Sequence, residues 1–152
     1  MSTTTMTRPT RQYRDTRVDV KLVLSALWVA MLFVFAYVDI FAFFRADVLG
    51  AALEGTVATT PLAVNQVFLT SALIFILPAT LMVVLSLVLK PRVNRVLNIV
   101  VSLLYAVIII ALCIGETWVY YLLGSAVEVV LLLAIARSAW TWPAPRSTPA
   151  LP

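Results

Sequence analysis

Four long stretches of the chain carry almost only apolar side chains, and short polar segments separate them. The first runs from Leu22 to Phe44, about 23 residues, enough for a helix to cross a hydrocarbon core about 30 Å thick. Its one charged residue is Asp39. A loop at 45–66 with Arg45, Asp47 and Glu54 leads to a second stretch from Val67 to Leu89. Within that loop Thr60-Pro61 reads as an N-cap followed by a proline at the first helical position, so the helix is expected to start at Pro61. Pro78 inside it is expected to bend it, because a proline removes one backbone donor and crowds the preceding turn. The basic turn Lys90-Pro91-Arg92-Val93-Asn94-Arg95 leads to a third stretch, Val96 to Ile114, and Gly115-Glu116-Thr117 to a fourth, Trp118 to Ala136. The predicted fold is all-α: a polytopic membrane protein built as a bundle of four transmembrane helices.

Composition supports the bilayer as solvent. The chain is 62% hydrophobic and 12% charged, with a mean hydropathy of +1.03, where a soluble domain is about half apolar and a quarter charged. The net charge of +4 could suggest a nucleic-acid partner. The basic residues instead flank the apolar stretches, as membrane topology requires, and no nucleic-acid partner is expected. Five of them precede the first stretch, counting Lys21, three lie at 90–95 and two follow the fourth stretch, against Arg45 alone in the other two loops. Because Lys and Arg concentrate on the cytoplasmic side, both ends are predicted to be cytoplasmic, N-in/C-in, in a plasma or inner membrane. Trp118, Tyr120 and Tyr121 then mark the outer interface, and Trp140 and Trp142 the inner one. Residues 1–20 read as a disordered basic tail, 21–143 as the helical domain and 144–152 as a disordered Pro/Ala-rich tail.

Chemistry-bearing groups are few. There is no His, and Cys113 is the single thiol, which excludes an internal disulfide, a CxxC pair and a Cys/His zinc site. Cys113 reads as a small apolar filler. Four glycines and no Gly-rich loop leave no phosphate cradle. An enzyme is therefore not expected, nor a cofactor or bound metal. The expected partner is the lipid bilayer, with a second copy of the chain or another membrane protein left open.

Asp39 and Glu128 stand out, because a carboxylate in hydrocarbon is costly unless paired, hydrated or protonated. None of the four stretches contains Lys, Arg or His, so the expected resting state of both is the neutral acid. Glu128 falls near the bilayer midplane and Asp39 about 8 Å inside the outer end of its span. Tyr121, Gly124, Ser125 and Glu128 share one helical face, and so do Asn94, Asn98, Ser102 and Tyr105. Tyr105 lies about as far before the tight turn between them as Glu128 lies after it, so they are expected to meet. Tyr121 is expected to reach the level of Asp39 and bond to it. One reading makes these contacts interhelical glue, worth about 1 kcal/mol each. The other makes Asp39, Tyr105, Tyr121, Ser125 and Glu128 a protonatable site for a cation or polar solute. Arg92, Asn94, Arg95 and Asn98 form a second candidate cluster at the cytoplasmic turn. Ala26 and Ala30 suggest a close helix contact.

The motifs Tyr37-x-Asp39-Ile40-Phe41, Arg92-x-Asn94-Arg95-x-x-Asn98-Ile99, Tyr120-Tyr121, Glu128 and Ala139-Trp140-x-Trp142-Pro143 resemble a family of small uncharacterised four-helix bacterial integral membrane proteins. The resemblance covers about residues 25 to 143. It implies the four-helix fold and no activity. It also implies an acid two residues before the proline of the second helix, where this chain has Ile76, so a site using that acid would be altered here. The function read from sequence is that of a non-enzymatic structural or accessory membrane protein, with a small proton-coupled transporter using Glu128 and Asp39 as the alternative.

Overall fold

The computed structural model describes residues 18–58, 60 and 62–142. Five helices follow in order: α1 Val20–Ala42, α2 Ala46–Leu53, α3 Gln66–Val88, α4 Pro91–Leu112 and α5 Val119–Trp140. Four of them are long and apolar enough to cross a membrane, and α2 is not. The expected tails at 1–20 and 144–152 fall outside the described residues, apart from Val18, Asp19 and Val20.

Local signals set the helix ends. Asp19 caps α1 by accepting from the Lys21 N–H at 2.7 Å. Asn65 caps α3 by accepting from the Phe68 N–H at 3.0 Å. The helix therefore begins at Gln66 and not at Pro61, which itself lies outside the described residues. Pro91 opens α4 in the first turn, where a missing N–H costs nothing. The basic turn expected over 90–95 is thus mostly the first turn of a helix, and the true connection is Leu89 and Lys90. Glu116 accepts from the N–H groups of Thr117 at 2.8 Å and Trp118 at 3.0 Å ahead of α5. Gly115, at φ 87°, makes the reversal that precedes it. The fourth span runs to Trp140, past the expected end at Ala136.

Lys and Arg side chains close two helix C-termini. Lys21 Nζ donates to the carbonyls of Leu87 and Leu89, each at 2.9 Å, at the end of α3. An Arg95 guanidinium nitrogen donates to the Trp140 carbonyl at 2.9 Å, at the end of α5. Both satisfy carbonyls that have no donor within the helix, and both complement its dipole.

The four long helices form a closed ring: α1 packs between α3 and α5, α4 packs along α5, and α3 touches α4 less extensively. Each presents one stripe inward. On α1 the stripe is Leu24, Trp28, Met31 and Val38; on α4 it is Asn94, Asn98, Ser102, Tyr105 and Ile109. On α5 it is Ser125, Glu128, Leu132, Ile135 and Ala139. Ala26 is exposed, so the expected Ala26–Ala30 contact is not made as a pair. The close approach lies elsewhere: a Cβ added at Gly124 would come within 2.3 Å of Val38 Cγ2. The outward faces are apolar, with Val84, Val107 and Val130 all more than half exposed.

Candidate functional site

Three polar groups occupy different levels of the bundle. At the Lys90 end, Asn94 and Asn98 are fully buried. Asn98 Oδ1 accepts from the Trp28 indole N–H at 2.8 Å and from the Ser86 hydroxyl at 3.2 Å. Asn98 Nδ2 donates to Asn94 Oδ1 at 2.6 Å and to the Asn94 carbonyl at 2.9 Å. Asn94 Nδ2 in turn donates to the Ser86 carbonyl at 2.6 Å. This network ties α1, α3 and α4 together, and its buried amides are satisfied on both ends. The four residues expected to share a cytoplasmic cluster therefore divide. Asn94 and Asn98 turn into the core, whereas Arg92 and Arg95 are exposed. Trp28 and Ser86 were not legible as part of it. An i, i+4, i+7 series of Leu24, Trp28 and Met31 marks the inward face of α1, but nothing in the sequence names the indole's acceptor.

At the opposite end, the Arg45 guanidinium pairs with Asp47 at 2.6 Å and with Glu116 at 3.5 Å, and lies 4.5 Å from the centre of the Trp118 ring. The cluster ties α2 to the α4–α5 turn. The bond to Asp47 pushes Arg45 further up from an already basic value. Arg45 holds Asp47 below the usual carboxylate range. Glu116 is also held down, first by the Trp118 N–H and then by the Thr117 N–H and Arg45.

The middle level holds Glu128. Glu128 is 2% exposed, and its carboxyl makes no hydrogen bond to any described residue; Oε1 is fully enclosed without a partner. The expected meeting with Tyr105 does not occur as a bond. The Tyr105 hydroxyl donates instead to the carbonyl of Phe75 on α3, next to the Ile74 carbonyl that Pro78 leaves without its usual donor. The α3 helix continues through Pro78. Ser125 is buried on the face of Glu128 but makes no bond to it.

Asp39 is exposed and makes no hydrogen bond to Tyr121, correcting the expected pair. It sits three residues before the end of α1, about 4.5 Å along the axis, in a groove between α1 and α3. Phe35, Ala36, Ala72, Leu73, Phe75 and Ile76 complete the lining, around a volume of about 460 Å³. Ring contacts run from Trp28 through Tyr105 and Phe75 to Phe35, linking the core to this groove. Val38, next to Asp39 in the chain, meets α5 at Gly124, one turn from both Tyr121 and Glu128. The structure thus gathers Asp39, Tyr121 and Glu128 in one region without bonding them, and assigns Tyr105 to α3. Among the described residues, no group of three or more His, Cys, Asp and Glu side chains could hold a metal ion.

A family model matches residues 13–148, nearly the whole chain, and describes a family of unknown function. No curated protein and no solved structure matches.

Proposed function

The chain belongs to the family of unknown function DUF6326, which supplies no activity, and we propose from the site alone that it is a non-enzymatic membrane protein whose Glu128 exchanges a proton for a solute. The reading places both termini in the cytoplasm, on the weight of Lys and Arg beside the Lys90 end. Reporter fusions after residues 20 and 93 should then read cytoplasm, and one near Glu54 the outside. The observation that carries the proposal is the enclosed carboxyl of Glu128 without a partner. Buried polar groups that serve only packing are bonded, as Asn94 and Asn98 are, because an unmade bond in a dry interior costs about 1–3 kcal/mol. A group kept at that cost is a candidate for function. Asp39 and Tyr121 complete the site. No His, no second Cys and no nucleophile–base pair accompany it, which favours binding over catalysis.

The test is proton movement in proteoliposomes with an internal pH dye, challenged with a series of alkylammonium salts. Wild type should move protons in response to at least one. Glu128→Gln, which keeps the shape of the neutral acid, should fold and move none. A Gln variant with full flux overturns the reading, and so does a wild type that moves no protons for any of the series. A purely structural role predicts that Gln behaves as wild type throughout.

A further inference from the structure

The groove between α1 and α3 faces outward from the bundle, among side chains that are themselves apolar and exposed, Ile40 and Leu73 included. With the long helices in a bilayer, it opens sideways to lipid, near one interface. Its lining has a single charged group, Asp39, with no ion pair to any described residue. A carboxylate there without a counter-ion is costly, so the site is complementary to positive charge. The remaining walls discriminate among cations. A small inorganic ion needs several oxygen ligands, and the lining offers one carboxylate. Phe35 and Phe75, 6.1 Å apart between ring centres, supply aromatic surface instead, which attracts organic cations through the ring quadrupole. A volume of about 460 Å³ is that of a site for a molecule of drug size.

We propose that this groove binds an amphipathic organic cation taken laterally from the bilayer, with Asp39 as counter-charge and Phe35 and Phe75 as walls. The inference rests on the reading of Glu128 as the proton donor and names its class of solute. Asp39 adjoins Val38, which meets α5 at Gly124, one turn from Glu128, so a cation at Asp39 offsets the negative charge that Glu128 acquires when its proton leaves. Ala36 and Ala72 leave the space the ligand fills.

The probe is tetraphenylphosphonium, with tetraphenylborate as an anion of the same shape, added to the full chain in nanodiscs, with empty nanodiscs as background. Wild type should bind the cation above background and not the anion, with release of protons to an unbuffered medium. Asp39→Asn should bind it roughly tenfold or more weakly. Ala72→Phe, which fills the groove from the α3 side, should do the same while keeping wild-type helix content. Glu128→Gln should bind the cation and release fewer protons than wild type, keeping only what Asp39 itself gives up. The inference is overturned if wild type shows no binding above background, if it binds the anion equally well, or if Asp39→Asn and Ala72→Phe bind like wild type. Cation binding with equal proton release from wild type and Glu128→Gln leaves the groove intact and refutes the role of Glu128.

Discussion

Replacing Gly124 by Ala is the sharpest probe of how α1 meets α5, and therefore of where Asp39 and Glu128 stand relative to each other. An added Cβ would lie 2.3 Å from Val38 Cγ2, with Val38 Cβ at 3.7 Å and Val34 Cγ1 at 4.0 Å. Carbon atoms pack favourably at about 3.5–4.0 Å, so one side must retreat by about 1.2 Å. Val38 is 8% exposed and β-branched, so its χ1 is nearly fixed in a helix and it cannot swing aside. The helices must separate, and overpacking of this kind costs about 1–3 kcal/mol. The assay is reversible unfolding in mixed detergent micelles of rising sodium dodecyl sulfate content, followed by helical circular dichroism. Gly124→Ala should lose about 1–3 kcal/mol, and adding Val38→Ala should restore part of that loss, a positive coupling that neither single change shows. A Gly124→Ala protein as stable as wild type, or a double variant no better than the sum of the singles, would refute the register.

Three further outcomes follow from the same geometry. Asn98→Ala removes the shared acceptor of Trp28 and Ser86 and should cost about 1–3 kcal/mol in the same assay, with a shift in Trp28 fluorescence; an unchanged transition would contradict the network. Tyr105→Phe deletes the bond to Phe75 and should cost about 1 kcal/mol, with faster amide exchange in α3 around Pro78 and none in α5; faster exchange confined to α5 would return Tyr105 to Glu128. Asp47 and Glu116 are held below the usual carboxylate range, so their hold on Arg45 is complete above that range and lost only as pH falls below it through their depressed values. Amide exchange at Trp118, corrected for intrinsic rate, should accelerate only under those acidic conditions, and acceleration already near neutrality would contradict the assignment.

The sequence made the long helices legible because each is an unbroken apolar stretch with a single inward stripe. Asn94, Asn98, Ser102 and Tyr105 share a face as their spacing requires, and all four are buried. The short helix α2 escaped notice because eight residues between Arg45 and Glu54 offer too few turns for a period to show. Thr60-Pro61 reads as the start of the second long helix, yet Asn65 is the cap, accepting from the Phe68 N–H, and no sequence signal singled it out. The pairing of acids with tyrosines failed for a different reason. Counting residues from a turn fixes depth along a helix but not rotation about it. Tyr105 turns its hydroxyl to α3; Asp39 lies in the last turn of α1 and lines a groove with α3 as well. Gly124 was placed on the right face of α5, yet its partner Val38 becomes visible only when the backbones are set side by side.

The central claim is that Glu128 carries a proton it can release, and infrared difference spectroscopy on the full chain in nanodiscs measures that directly. The spectrum of wild type minus Glu128→Gln isolates the carboxylic C=O stretch of this one side chain. The account predicts that this band is present at neutral pH and is replaced by carboxylate bands as the medium is made alkaline. If Glu128 shows no carboxylic acid band at any pH, or one that never gives way however alkaline the medium, the proton-exchange account is wrong.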